Sequence, residues 1–93
     1  MSQRASVTVT IVNRLGLHAR PAMSFVDTAS EYKSAVRVRR EDGDHVVDGK
    51  SIMEMMMLAA TQGVRLVVDA EGEDAEAACA AIETLVADGF DDD

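Results

Sequence analysis

Apolar residues recur along the chain with either the spacing of a strand or the spacing of a helix. The order in which these two spacings follow each other constrains the fold more than any other feature of the sequence. Three segments have apolar residues at every second position, which is typical of strands with one buried face, over residues 5–11, 36–39 and 64–70. An Asp-Gly turn at residues 41–44 adds a short strand at 45–48. Helical spacing occurs over residues 19–32, 51–63 and 75–86. The predicted order is therefore βαββαβα.

This order of elements predicts an α+β protein. Four strands cannot all be joined by helical crossovers in this order, so one mixed or antiparallel sheet with its helices on a single face is the simplest solution. We predict a four-stranded antiparallel sheet with three helices on one face, an open-faced β-sandwich that forms a single domain over residues 1–93. Gly89 ends the last helix, and residues 89–93 form an acidic tail.

Charge and composition exclude several functions. The net charge is −8 and aromatic residues make up 3% of the chain, so the basic surface and aromatic platforms of nucleic-acid-binding proteins are missing. One cysteine cannot form an internal disulfide. No segment has the roughly 18 apolar residues that span a bilayer, so we expect a cytoplasmic protein without membrane insertion. All nine basic residues lie between Arg4 and Arg65, where an anion site is therefore expected.

No motif indicates a metal, a cofactor or an acyl-transfer site. His18, His45 and Cys79 are far apart and lack the spacing of metal ligands. The chain has no Gly-x-Ser-x-Gly motif. A further possibility, a small sandwich that binds a metabolite, has no glycine-rich or polar pocket motif to support it. We expect no metal and no cofactor.

The run GLHARPAM, residues 16–23, is the segment best suited to chemistry. It places His18 where a glycine-containing turn becomes a helix, with Pro21 in the first helical turn. A helix start carries unpaired amides and about half a positive charge, and Arg20 and Arg14 add cations, so the segment favours an anion. An imidazole there is suited to nucleophilic attack on a phosphoryl group. The alternative is that His18 only caps the helix or lies on the surface.

These eight residues and the predicted order of elements resemble the HPr family, the histidine phosphocarriers of the bacterial phosphoenolpyruvate-dependent phosphotransferase system. The resemblance covers nearly the whole chain. It implies that His18 is phosphorylated on Nδ1, that Arg20 contacts the phosphoryl group, and that the protein is a covalent carrier and not an enzyme. It also implies that enzyme I donates the phosphoryl group and that EIIA-type domains accept it.

The second predicted helix is rich in methionine. A helix on one side of a sheet buries only part of its circumference, so some of Met53, Met56 and Met57 are expected to face solvent, where flexible methionine suits several partners. The alternative is that the third helix covers them. In the HPr family this helix and the first form the docking surface, which implies that partners contact a monomer at Arg14, Ala19, Met23, Lys50, Ile52, Met53, Met56 and Met57.

Ser51 begins the second predicted helix, and Glu54 three residues later completes the pattern of a capping box. Residues 50–53 also resemble the serine site that an HPr kinase phosphorylates. This gives an alternative function, a regulatory module that is phosphorylated on Ser51 and controls a transcription factor or an enzyme. The Glu54 carboxylate weighs against this alternative because it would repel a phosphate.

The branch of the phosphotransferase system that this protein serves stays open. Residues 89–93 are similar to nitrogen-branch members, whereas residues 50–53 are similar to sugar-branch members.

Overall fold

The computed structural model describes residues 3–91, which form the predicted α+β fold. The strands are β1 (Arg4–Thr10), β2 (Ala35–Arg40), β3 (Val47–Asp48) and β4 (Arg65–Glu71). The helices are α1 (Ala19–Ser30), α2 (Ile52–Met57) and α3 (Ala75–Ala87), and a short 3-10 turn, Gly89–Asp91, follows α3. Strand β3 is shorter than predicted because only its two residues pair with β2.

The four strands are antiparallel to their neighbours in the order β1-β4-β2-β3, which confirms the predicted sheet. Alternation along the strands gives the sheet one apolar and one polar face. The apolar face is buried under the helices and includes Val36, Val38, Leu66 and Val68. On the opposite face the register aligns a row of exposed polar side chains, namely Ser6, Asp69, Arg37 and Asp48. The helices cover one face only, as an open-faced sandwich requires.

Helix α2 ends at Met57, whereas the sequence predicts a helix as far as residues 62 and 63. Leu58 is its C-cap, and Ala59 has a φ of 50°, a left-handed conformation that ends a helix. The cause is a tertiary contact, because the Arg40 guanidinium of β2 donates hydrogen bonds to the carbonyls of Leu58 and Ala59 at 3.3 and 3.2 Å. The prediction of a longer helix was wrong because these contacts are not local.

The predicted acidic tail begins inside the folded structure. Gly89–Asp91 forms the 3-10 turn, and Phe90 is 5% exposed within the hydrophobic core. Phe90 adopts a φ of 60°, which points to a tertiary reason for its position since a bulky residue rarely takes this conformation. The part of the prediction that falls on Asp92 and Asp93 lies outside the described residues.

Asp74 joins the start of α3 to the connection between α1 and β2. Its carboxylate accepts hydrogen bonds from the Ser34 hydroxyl and from the backbone N–H groups of Lys33 and Ser34, the latter two at 2.9 Å. These donors, the Ser34 hydroxyl above all, lower the pKa of Asp74 to about 2. Because Ser34 is itself buried, the contact holds the entry into β2 as well as the start of α3.

The lowered pKa of Asp74 predicts a loss of stability in acid. Its carboxylate stabilises the folded state above the unfolded pKa, about 3.9, and this contribution disappears as the pH falls through the folded pKa of about 2. We expect the urea midpoint of unfolding to fall between about pH 4 and pH 2. Asp74→Asn should flatten that part of the profile, whereas Asp44→Asn, at an exposed carboxylate, should keep it. Equal slopes for the wild type and Asp74→Asn would contradict this role.

Candidate functional site

A tight turn carries the chain from β1 to α1. The Gly16 N–H donates to the Asn13 carbonyl at 3.2 Å, and the Asn13 side-chain Nδ2 donates to the Gly16 carbonyl at 2.7 Å. The same Gly16 carbonyl also accepts the His18 N–H at 3.0 Å. Gly16 has a φ of +71°, a conformation that glycine adopts at little cost. The turn therefore delivers His18 directly to the start of the helix.

This turn packs against the segment that connects α2 to β4. The Leu17 N–H donates to the Ala60 carbonyl at 2.8 Å, and Gln62 Nε2 donates to the Val12 carbonyl at 3.0 Å. The approach is so close that a Cβ on Gly16 would lie 2.6 Å from the Ala60 carbonyl oxygen. The early end of α2 thus has a consequence for the site, because it frees the backbone of this segment to hold the turn.

His18 is the N-cap residue of α1, with extended backbone angles and a half-buried side chain. The first intrahelical bond runs from the Ala22 N–H to the His18 carbonyl at 3.0 Å. Pro21 has no N–H, so the amides of Ala19 and Arg20 precede this bond at the positive end of the helix. All residues of α1 are described, and none of its amides is capped by the His18 imidazole. The alternative that this side chain serves as a helix cap was wrong.

Most of the predicted contact residues of α1 and its turn lie on the surface, but Lys50 points elsewhere. Arg14, Ala19, Arg20 and Met23 are exposed around the start of α1. The Lys50 ammonium instead donates to the Tyr32 carbonyl at 2.8 Å, just beyond the end of α1. A helix rises 1.5 Å per residue, so the twelve residues of α1 separate that end from His18 by about 18 Å. The structure does not bring the Lys50 side chain to His18.

Exposed apolar side chains lie on α2 and on the turn before α1. Met53 is 80% exposed and Met57 65%, whereas Met55 is fully buried and holds α2 to the core. The alternative that α3 covers the methionines was wrong. We define the apolar surface as the exposed side chains of Leu15, Met23, Ile52, Met53, Met56 and Met57. Leu15 is not among the contact residues predicted from the sequence, although its place in a turn between two elements could have indicated it.

Ser51 caps α2 as predicted, but the capping box is only half formed. Its hydroxyl oxygen accepts the Glu54 N–H at 3.2 Å, whereas Glu54 Oε1 accepts the Asp48 N–H at 3.1 Å and not the Ser51 N–H. The Ser51 N–H donates to the Asp48 carbonyl at 3.1 Å. A phosphate on Ser51 would therefore face the Glu54 carboxylate within one helical turn. Phosphorylation of Ser51 stays a prediction.

The remaining reactive side chains do not converge on His18. Cys79 is buried in α3, and burial raises the pKa of its thiol. His45 is exposed in the connection between β2 and β3. Across residues 3–91, no three His, Cys, Asp or Glu side chains are arranged to hold a metal ion. In the same part of the chain, none of the helices has the length and apolar character to cross a membrane.

Comparisons with known proteins agree on one family. A family model described as the PTS HPr component phosphorylation site matches residues 5–88. The phosphocarrier protein HPr of Pseudomonas aeruginosa is 46% identical over 94% of this chain and 96% of its own length. The phosphocarrier protein NPr of Escherichia coli K12 is 36% identical over 92% of this chain and 94% of its own. The crystal structure of HPr-C-His from Thermoanaerobacter tengcongensis superposes with a TM-score of 0.88 at 40% identity, covering 96% of this chain and 98% of the other.

Proposed function

Because the chain belongs to the HPr family of the phosphotransferase system, we propose that His18 accepts a phosphoryl group from phospho-enzyme I and passes it to an EIIA-type domain. Family membership makes the protein a phosphocarrier of that system and not a catalyst. One observation carries the proposal. His18 lies within the matched residues 5–88 and is the N-cap of α1, where backbone amides favour the negative charge of a phosphoryl group.

The transfer exchanges one bond to phosphorus for another. The lone pair of His18 Nδ1 forms a bond to phosphorus while the bond from phosphorus to enzyme I breaks, and the electron pair of that bond stays with enzyme I. In the second transfer the nucleophile of the EIIA domain forms the new bond and His18 recovers its electron pair. The transition state of phosphoryl transfer is loose, so positioning and charge stabilisation are the main contributions of this chain.

The charges near His18 suit this task. Arg20 lies two residues after His18 and Arg14 four residues before it, and the first acidic residue along the chain is Asp27. We propose that the Arg20 guanidinium and the Ala19 and Arg20 amides stabilise the phosphoryl oxygens, since a guanidinium offers several donors in one plane. All nine basic residues lie at or before Arg65, whereas ten of the seventeen acidic residues follow it.

Docking of enzyme I and EIIA-type domains is assigned to the apolar surface together with Arg14, Ala19 and Arg20. The large apolar side chains of this surface are exposed to solvent, whereas Met55 of the same helix is buried in the core. Exposed apolar patches of this kind mark protein interaction sites, and methionine adapts to partners of different shape. Leu15 precedes His18 by three residues and Met23 follows it by five, so a partner docked on this part of the surface would lie close to His18.

Met53→Ala tests the docking surface. We expect about a tenfold rise in the KM for enzyme I with kcat nearly unchanged, because the change removes a docking side chain and not a reacting group. Since Met53 is 80% exposed, the thermal midpoint should stay within about 3 °C of the wild type. Val46→Ala is the matched control, because Val46 is also exposed, at 52%, but lies beside β3. An equal KM effect in both variants would contradict the assignment.

The alternative function, regulation through Ser51, has less support. The Ser51 hydroxyl caps α2 through the Glu54 N–H, and the Glu54 carboxylate lies within the same turn. A phosphate is tolerated at a helix start but is opposed by a nearby carboxylate. An HPr kinase is therefore a partner only in a secondary role.

We further propose that the protein acts in the cytoplasm as a monomer. Light scattering of the purified protein can check the monomeric state.

One experiment tests the carrier function. The protein is incubated with phosphoenolpyruvate and enzyme I, and the product is analysed by mass spectrometry before and after mild acid. The proposed function predicts one added phosphoryl group on the peptide that contains His18, lost in acid because a phosphohistidine is acid-labile. A phosphoryl group that survives acid, or no product at all, would refute the carrier function.

A further inference from the structure

We infer that Asn13 is a positioning residue for His18, an inference that rests on the proposed function of His18. Asn13 is 4% exposed, although asparagine is usually a surface residue. Its Nδ2 donates to the Gly16 carbonyl at 2.7 Å, and its own carbonyl accepts the Gly16 N–H at 3.2 Å. Asn13 therefore holds both the N–H and the carbonyl of Gly16, two residues before His18.

Asn13 acts on the turn through the Gly16 carbonyl. This carbonyl accepts two donors, Asn13 Nδ2 at 2.7 Å and the His18 N–H at 3.0 Å. Holding that oxygen fixes the plane of the peptide between Gly16 and Leu17, and with it the direction in which the Leu17 N–H meets the Ala60 carbonyl. Glycine supplies the turn but no side chain that could hold it. The Asn13 amide supplies that constraint.

The orientation of the Asn13 amide is determined by its surroundings. Its Oδ1 is buried and accepts no hydrogen bond from any residue between 3 and 91. Turning the amide over would place this oxygen against the Gly16 carbonyl oxygen, so only the observed orientation makes a bond. A buried acceptor without a donor lowers stability. An apolar residue could fill this space without the unpaired oxygen and its loss of stability. Asparagine is explained if this position must present an N–H donor to the Gly16 carbonyl.

The consequence for phosphoryl transfer concerns the chemical step. The imidazole and the amides of Ala19 and Arg20 can act together only if the N-cap of α1 stays in place, and small displacements of reacting groups cost large factors in rate. Partner docking is assigned to the apolar surface, and five of its six side chains lie on α1 and α2, outside the turn that Asn13 holds. Loss of the Asn13 donor should therefore lower kcat for phosphorylation by enzyme I and leave KM nearly unchanged.

Asn13→Ala removes the donor, and Asn13→Asp replaces it by an acceptor at nearly constant shape. Gln62→Ala is the matched control, because Gln62 Nε2 makes the same kind of bond, at 3.0 Å, to the Val12 carbonyl of the same loop. We expect kcat to fall about tenfold or more in both Asn13 variants, with KM within about twofold. The control should keep both constants. Unchanged kcat in the Asn13 variants, or equal losses in Gln62→Ala, would overturn the inference.

Amide hydrogen exchange tests the same inference without any phosphoryl transfer. In the Asn13 variants the Leu17 and His18 amides should exchange about tenfold faster or more, while amides of the core strand β4 keep their rates. Faster exchange throughout the chain would assign Asn13 a purely structural role. If the wild type accepts no phosphoryl group, the proposed function fails, but a selective effect at Leu17 and His18 would still establish the positioning. Asn13→Asp keeps the test informative should Asn13→Ala not fold.

Discussion

We expect His18→Gln to abolish acceptance of a phosphoryl group from phospho-enzyme I, and His45→Gln to leave it unchanged. Glutamine is similar in length to histidine but has no ring nitrogen with a lone pair that could bond to phosphorus. The rate should fall at least about a thousandfold, because no other side chain can take over a covalent role. His45 is the matched control since it is the only other histidine of the chain and lies exposed between β2 and β3.

The two variants separate chemistry from folding. His18 is half-buried and His45 exposed, and neither belongs to the hydrophobic core. Both thermal midpoints should therefore stay within about 3 °C of the wild type. The measurement is the amount of acid-labile phosphoryl adduct after incubation with phosphoenolpyruvate and enzyme I. Full labelling of His18→Gln would contradict the carrier function at His18. Loss of labelling in His45→Gln would indicate that His45 carries the phosphoryl group.

The parts of the fold that depend on local patterns could be predicted from the sequence. The stripe of Ala22, Phe25, Val26 and Ala29 predicts the buried face of α1, and these four side chains are all buried. The antiparallel sheet with its helices on one face followed from the limited ways in which elements in this sequence order can pack, whereas the strand order β1-β4-β2-β3 was not predicted. The end of α2 could not be predicted, because it depends on the Arg40 guanidinium, which approaches from a distant strand.

The same division applies to the site. His18 and Arg20 belong to one local motif, so their place at the start of α1 was accessible from the sequence. The role of Ala60 was not, because its carbonyl holds the Leu17 N–H across 43 residues of chain and its side chain has no reactive group. The direction of the Lys50 side chain could not be predicted from the sequence either. Its charge belongs to the basic part of the chain, but its ammonium bonds to the Tyr32 carbonyl and not near His18.

Gly16→Ala should damage both the fold and the transfer reaction. At a φ of +71°, an alanine costs about 1–2 kcal/mol in backbone energy. Its Cβ would also lie 2.6 Å from the Ala60 carbonyl oxygen and 2.8 Å from the Thr61 Cα, both of them backbone atoms that cannot rotate away. Forcing atoms into such a space costs about 1–3 kcal/mol more. The total expected loss in the free energy of unfolding is about 2–5 kcal/mol.

Gly63→Ala separates the two causes of this loss. Gly63 has a φ of +93°, but a Cβ placed there would meet no atom within 4 Å. This variant should lose only the backbone contribution, about 1–2 kcal/mol by urea unfolding, and should accept phosphoryl groups at nearly the wild-type rate. Gly16→Ala should lose more stability and transfer activity together, because the displaced turn moves the N-cap at His18. Equal stability losses in the two variants would mean that backbone conformation, and not contact with the segment after α2, determines the position of the turn.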